Sequence, residues 1–258
     1  MPTAAGLYYF AHGAGDLTRP PVVLIHGAGG NHLSWPPGVR RLPGGRILAV
    51  DLPGHGKSQG VGHHRIEDYA ASVVDFVDAL KLNKAVLIGH SMGGATALQA
   101  AIQSPERVLA IGLLGSAARL TVSPELLRLA SDPSKTADTL HLVVENSFAA
   151  ETSSRLKELA ERRMLDTRAS VLYGDFLACD AFDVTAASAY VTIPTLILFG
   201  AEDRMVPVGR GRALSWQIQG SRLEVVPAAG HMVMLEQPER IAALLDDFLQ
   251  SVHYLPGI

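Results

Sequence analysis

Ala85-Val86-Leu87-Ile88-Gly89-His90-Ser91-Met92-Gly93-Gly94 decides how the chain folds, because it joins an apolar strand to a helix through a single serine. Ala85 to Ile88 is a short uninterrupted apolar run, the pattern of a strand covered on both faces, as in a parallel sheet. Residues 95–103 continue with a helical pattern. Between them Gly89, Ser91 and Gly93 fit Gly-x-Ser-x-Gly. A serine on a sharp strand-to-helix turn needs small neighbours two residues to either side, because the turn crowds them, and its hydroxyl then projects free above the sheet. With 25 glycines in the chain the pattern alone is weak, so the strand before it and the helix after it carry the weight.

The same alternation extends in both directions. Further apolar runs occur at Val22–Ile25, Ile47–Val50, Val108–Leu114, Thr195–Phe199 and Leu223–Val226, each ending in turn or polar residues. Helical spacing of apolar residues marks Ile66–Leu80, through Ile66, Tyr69, Ala70, Val73, Val77 and Leu80, and a helix is also expected over Pro238–Val252. Strand, helix, strand in succession means an α/β fold with a mostly parallel sheet flanked by helices. Leu7–Phe10 is expected to add an antiparallel edge strand.

Residues 117–189 break this rhythm. They carry helix starts at Ser123-Pro124 and Asp132-Pro133, with proline at the first helical position, and no strand pattern. Apolar faces for about four helices come from Leu126, Leu127 and Leu129, from Leu140, Val143 and Val144, from Leu156, Leu159 and Leu165, and from Leu172, Phe176 and Leu177. The expected organisation is one domain: a core of residues 1–116 and 190–258, with residues 117–189 inserted as a helical cap over the C-terminal edge of the sheet. The uncharged stretch Val184–Ala201 is broken by Pro194, Gly200 and several threonines and serines, so it is read as loop plus buried strand, not as a membrane span.

Composition narrows the class of function. With 22 basic and 25 acidic residues the formal net charge is −3, and the longest basic clusters are the pairs Arg40-Arg41 and Arg162-Arg163. That excludes a nucleic-acid binder or polybasic membrane surface held by charge. The 48% hydrophobic content and 18% charged content, the latter below the ~25% usual for soluble proteins, exclude intrinsic disorder. Cys179 is the single cysteine, so no internal disulfide and no cysteine-based metal cluster can form, and it is read as a small buried hydrophobe. The first twenty residues show no secretory pattern, and a cytoplasmic location is expected.

A serine hydroxyl is a poor nucleophile until a base takes its proton, so Ser91 requires a histidine and an acid to orient it. Asp203, just past the run Thr195–Phe199, and His231, in Ala229-Gly230-His231 past Leu223–Val226, lie beyond different strands at the edge where ligands bind in open α/β sheets. Glu202 is the competing acid, one residue earlier. His26, His55 and His90 sit in loops at the same edge and are read as turn-stabilising or pocket-lining, and His63-His64 as a solvated loop without a third metal ligand. Attack on an ester carbonyl places charge on its oxygen, which backbone N–H groups stabilise. One donor is expected from Met92 at the helix start, and the second from His26-Gly27-Ala28-Gly29-Gly30, with Ala28 the choice. That loop has neither the Gly-x-Gly-x-x-Gly spacing nor the Lys-Ser pair of a phosphate cradle.

Residues 26–30, Asp51-Leu52-Pro53-Gly54-His55-Gly56-Lys57-Ser58, Gly89–Gly94, Ile193–Asp203 and Ala229–His231 together resemble the α/β-hydrolase superfamily, in its compact single-domain esterase-like branch. The resemblance implies an eight-stranded, mostly parallel sheet, a helical cap after the sixth strand, and a Ser91, His231, Asp203 mechanism that needs no cofactor and no metal. It makes Met92 and Ala28 oxyanion donors and Asp51–Ser58 a structural turn. Serine at the elbow, where haloalkane dehalogenases and epoxide hydrolases of this fold carry a carboxylate, disfavours those activities. The expected function is cleavage of carboxylic esters with short to medium acyl chains, on a monomer or homodimer. Two alternatives stay open: hydrolysis of a carbon–carbon bond, or a perhydrolase-type reaction, by the same triad, and a non-catalytic ligand receptor on the same scaffold. Asn31, Trp35, Phe148, Tyr173 and Phe176 are candidates for lining the substrate pocket.

Overall fold

The structure, a computed structural model, describes residues 2–13 and 19–254. One sheet holds β1 (Thr3–Ala4), β2 (Leu7–His12), β3 (Val22–Ile25), β4 (Ile47–Val50), β5 (Ala85–His90), β6 (Val108–Leu114), β7 (Thr195–Gly200) and β8 (Arg222–Val226). Their spatial order is β1-β2-β4-β3-β5-β6-β7-β8. The pairs β1/β2 and β2/β4 are antiparallel and the rest parallel, so this is the mostly parallel α/β sheet that the apolar runs imply. Every residue of β3, β4, β5 and β7 is buried, which is why those strands read as unbroken apolar runs.

The helices in chain order are α1 (Pro37–Arg40), α2 (Ile66–Ala79), α3 (Met92–Gln103), α4 (Pro124–Ala130), α5 (Thr136–Ser147), α6 (Ser154–Met164), α7 (Ala169–Asp180), α8 (Thr185–Ser188), α9 (Val208–Gln217), α10 (Val233–Glu236) and α11 (Pro238–Ser251). Alternate strand residues feed two cores. Val23, Ile25, Leu48, Val50 and Ile197 pack with Val73 and Phe76 of α2, Leu98 of α3 and Leu214 of α9. Val22, Leu24, Ile47, Ala49 and Leu196 pack on the other face with Val39 of α1 and Ile241, Leu245 and Phe248 of α11. This period of two separates the layers on either side of the sheet.

Helices α4 to α8 all lie between β6 and β7. Ser123 caps α4, accepting a hydrogen bond from Leu126 N–H at 3.2 Å. Asp132-Pro133 opens only a single 3-10 turn, Pro133–Lys135, that runs straight into α5, and Asp132 accepts from Ser134 N–H at 2.9 Å. The two ends of this helical segment are stitched together, with Val184 N–H donating to Ala118 C=O at 2.8 Å. The stretch Val184–Ala201 holds α8, a loop and β7, and among the described residues no helix is long and apolar enough to cross a membrane.

The periodicity missed α9, whose two buried residues are Gly211 and Leu214. Gly211 carries no side chain because a Cβ there would meet the Phe199 ring at 2.3 Å. The helix therefore packs through its backbone, which leaves little apolar pattern to find.

Candidate active site

Ser91 sits between β5 and α3 at φ 52°, ψ −116°, a conformation strained for a residue with a side chain. Such strain costs about 1–3 kcal/mol and persists only where the surroundings over-determine it. Here glycines do so. A Cβ on Gly89 would lie 2.0 Å from Gly93 O, one on Gly93 2.2 Å from Ile25 O, and one on Gly94 2.5 Å from the Ser116 side chain. Ser91 N–H donates to Leu114 C=O at 2.8 Å, and Ser91 C=O accepts from Ala95 N–H at 3.0 Å, which ties the elbow to β6 and α3.

Asp203 and His231, beyond the ends of β7 and β8, meet: His231 Nδ1–H donates to Asp203 Oδ2 at 2.9 Å, leaving the Nε2 lone pair free. Asp203 Oδ1 accepts from Val206 N–H at 2.8 Å, so the carboxylate is fixed at both oxygens. Gly115, at φ +54°, faces this pair, and a Cβ there would stand 3.0 Å from His231 Nδ1. Glu202 points elsewhere and accepts from Ala150 N–H at 3.0 Å. The His231 loop is held from two more sides: His90 Nε2–H donates to His231 C=O at 2.9 Å, and Glu236 accepts from Gly230 N–H and Ala149 N–H, each at 2.8 Å. No hydrogen bond joins Ser91 to His231, but both open onto the same cavity.

The loop after β3 supplies a row of N–H groups. Gly29 N–H donates to Asp175 Oδ2 at 2.9 Å, Gly30 N–H to Gly27 C=O at 3.1 Å, Asn31 N–H to Ser34 Oγ at 3.2 Å and His32 N–H to Asp51 Oδ1 at 2.6 Å. Among the described residues the N–H groups of Ala28 and Met92 have no such partner. Gly27 lets this loop lie against the elbow, since a Cβ on it would be 3.3 Å from Ser91 Cβ.

The histidines of the sheet edge differ in the direction in which their pKa values are shifted. Burial, then the charge of His55, pulls the His26 pKa down to about 4; its Nδ1–H donates to Gly27 C=O at 2.8 Å while Nε2 accepts from Leu52 N–H at 3.0 Å. Burial, then the neighbouring His231, pulls His90 down to about 3. Both rings are neutral. His55 goes the other way: burial pulls its pKa down, but the charge and hydrogen bond of Asp175 outweigh burial and leave it raised. Asp51 anchors the turn that follows β4: burial raises its pKa, and hydrogen bonds from the His32 ring and from Lys57 and His32 N–H bring it below the ordinary carboxylate value.

The cavity measures about 470 Å³ and lies between the sheet edge and the inserted helices. Ala28, Ser91 and His231 form part of its wall, together with Leu126, Val143 and Met164 from the insertion. Asn31, Phe148 and Phe176 also stand on the wall. Two of the residues expected there do not. Trp35 is fully buried in the core on the α11 side of the sheet, because α1 packs against α11 and carries the preceding turn with it. Tyr173 is one position round α7 from Leu172 and packs in the cluster between α4, α5 and α7, off the cavity wall. Cys179 reaches the cavity, and burial pushes its thiol pKa up, which keeps it protonated.

A carboxylate-oriented imidazole and an elbow serine on one cavity, beside two unpaired N–H groups, are the parts of nucleophilic acyl transfer. The sequence profile of the Alpha/beta hydrolase family matches residues 22–244. The chain is 28% identical to 3-oxoadipate enol-lactonase 1 of Acinetobacter baylyi, over 92% of this chain and 91% of the relative. It is 32% identical to 2-hydroxy-6-oxo-2,4-heptadienoate hydrolase of Pseudomonas putida, over 97% of this chain and 96% of the relative. The solved structure of a thermophilic esterase superposes with a TM-score of 0.83 at 31% identity, covering 95% of this chain and 94% of that one. The chain belongs to the alpha/beta hydrolase family and is a hydrolase.

Proposed function

We propose that the protein hydrolyses carboxylic esters with short to medium acyl chains through an acyl-enzyme. Ser91 Oγ attacks the ester carbonyl while His231 Nε2 takes its proton and passes it to the departing alcohol. Water then attacks the acyl-serine, giving its proton to His231, and the acid leaves as the Ser91 hydroxyl re-forms. Asp203 holds the tautomer that leaves Nε2 free and stabilises the imidazolium. Ala28 and Met92 N–H receive the oxyanion.

The observation that carries this reading is the 2.9 Å Asp203–His231 hydrogen bond on the cavity that Ser91 also lines. The Ala28 assignment is supported by elimination, since the next N–H groups along the loop are already spent within the protein. A 470 Å³ cavity with mostly apolar walls suits a short to medium chain. On this reading residues 1–116 with 190–258 are the hydrolase core and residues 117–189 the cap that covers the ester.

Initial rates on p-nitrophenyl esters from acetyl to palmitoyl, measured beside Ser91→Ala, test the reading. The wild type is expected to prefer short to medium chains, and Ser91→Ala to lose about 10⁶-fold in kcat, as removal of a serine nucleophile does elsewhere. Equal rates for the two proteins would sink it.

A second reading follows from the 32% identity to 2-hydroxy-6-oxo-2,4-heptadienoate hydrolase. The same three residues would then cleave a carbon–carbon bond in a keto-dienoate. Turnover of such a substrate far above that of any ester would favour it.

A further inference from the structure

A cluster of polar side chains lies fully buried outside the Ser91, His231 and Asp203 constellation. Asp175, on inserted helix α7, has no solvent exposure. Its carboxylate accepts three hydrogen bonds from three separate parts of the core: Gly29 N–H at 2.9 Å and His55 Nε2–H at 2.8 Å, both to Oδ2, and Tyr69 O–H at 2.6 Å to Oδ1. His55 Nδ1 faces Pro53 C=O at 3.0 Å. Both ring nitrogens therefore face acceptors, and the charge and hydrogen bond of Asp175 raise the His55 pKa, so the contact is read as a buried ion pair between insertion and core. The groups facing His55 are Asp175 from α7, Tyr69 from α2, His26 from the loop after β3 and Asp51 from the turn after β4.

Gly29 is held at its other polar atom as well: its C=O accepts from Thr167 Oγ1, just before α7, at 2.9 Å. Its backbone, at φ +65°, sits so close to Leu172 and Met164 that a Cβ would meet them at 2.9 and 3.1 Å. Every hold on Gly29 thus comes from the insertion. Ala28 N–H lies in the Gly27–Ala28 peptide plane; Asp175 fixes the next plane through Gly29 N–H and Thr167 the one after through Gly29 C=O, so together they hold Ala28 from its C-terminal side and limit how far its N–H can turn.

Breaking one partner of a buried ion pair is costly, while replacing the whole pair by apolar residues is often neutral. We propose that Asp175, braced by His55 and Tyr69 and assisted by Thr167, is a positioning residue that aims Ala28 N–H at the developing oxyanion, so that the inserted helices set transition-state stabilisation as well as pocket shape. The proposal rests on the reading that Ala28 N–H binds the oxyanion of an ester.

The test compares wild type, Asp175→Asn and Thr167→Val with p-nitrophenyl butyrate as substrate and an aryl trifluoromethyl ketone as a tetrahedral mimic. Weakening one oxyanion donor, whose complete removal costs about 100- to 1000-fold, predicts a kcat loss of about 10- to 100-fold for Asp175→Asn. KM is expected to change less than about 2-fold and the ketone to bind more weakly by the same factor as kcat. Thr167→Val, which leaves the ion pair intact and keeps the variant series informative if Asp175→Asn fails to fold, is expected to lose about 2- to 10-fold in the same parameter. An unchanged kcat in both folded variants, or a loss confined to KM, overturns the proposal. Wild type without esterase activity would instead sink the ester reading. Amide hydrogen exchange at Ala28 and Gly29 then decides the positioning claim by itself: faster exchange in the variants supports it, and equal exchange overturns it.

Discussion

The serine elbow and the loop after β3 are both rich in glycine and both lie at the C-terminal edge of the sheet, yet they are held by different means. The elbow is held by what is absent: Gly89 and Gly93 let backbone touch backbone inside the core, Gly94 makes room for the Ser116 side chain, and no side chain from the insertion takes part. The loop is held by what is added: Asp175, Thr167, Leu172 and Met164 of the insertion grip Gly29. A turn fixed by core sterics is insensitive to what covers the site. A loop fixed by an inserted segment lets that segment tune catalysis, so the two halves of one site are free to change separately.

The largest effect after loss of Ser91 itself is expected at the elbow. In Gly93→Ala the new methyl would stand 2.2 Å from Ile25 O and 2.5 Å from His26 O, and neither backbone atom can turn away. Displacing a nucleophile by about 1 Å costs on the order of 100-fold, and overpacking of this kind costs about 1–3 kcal/mol or more of stability. Steady-state kinetics and thermal melting should both show the loss. A Gly93→Ala protein with wild-type activity would mean that the elbow is not fixed by these contacts. The Asp175→Asn loss in kcat comes next, and because one partner of a buried pair is left behind it should also lower stability by about 3–5 kcal/mol.

A smaller effect separates cavity wall from core. Phe148→Ala should move the acyl-chain optimum toward longer esters by opening the wall, with a change of about 10-fold in any single rate, the low end of the roughly 10- to 200-fold that one methylene in a pocket is worth. Trp35→Ala should leave the optimum in place and lower stability by about 3–5 kcal/mol, the usual cost of truncating a buried aromatic. If Trp35→Ala shifted the optimum as far as Phe148→Ala, the assignment of the two residues to core and wall would fail.

The smallest effect is electrostatic. His26 and His90 have folded pKa values depressed to about 4 and about 3, below the ordinary 6.5, so the unfolded chain binds more protons than the native protein in that window. Their contribution is complete above 6.5 and is lost as the pH falls, by up to ~1.4 kcal/mol per pH unit for each group. His55, with a raised folded pKa, has the opposite sign: its contribution is complete below 6.5 and is lost as the pH rises through the folded value. Urea unfolding across the acid window should show a shallower loss of stability in His90→Gln than in the wild type. Identical slopes would show that His90 is not buried as a neutral ring.

The regions differ equally in how far they can be read from the sequence. The buried strands announce themselves as apolar runs because the sheet is covered on both faces, and the elbow and Asp203 follow because each lies at or just past the end of such a run; β8 is an edge strand with one buried residue, and His231 follows from its place beyond it. Helical spacing also finds α2 and α11, whose buried faces are regular. The helical nature of residues 117–189 is legible from Ser123-Pro124 and the leucine spacing, but which faces meet the cavity depends on how helices cross, and spacing alone does not encode that. Hence Phe176 reaches the cavity wall while Tyr173, three residues before it on α7 and packed in the same apolar cluster, does not. The Asp175 cluster left one signal unread. Asp175 is the sole charged residue in Ala169–Cys179, and a lone carboxylate in an apolar helix demands buried partners. Its partners, His55 and Tyr69, lie more than a hundred residues away, out of reach of any local pattern.

The most direct test of the central claim, that Ser91 activated by His231 is the nucleophile, is the site of covalent labelling by an organophosphate ester, read by peptide mass spectrometry. The account predicts one label per chain on Ser91, none in Ser91→Ala, and labelling that is greatly slowed in His231→Ala. A label on Cys179 or any other residue, or full ester turnover by a protein whose Ser91 resists the reagent, would contradict it.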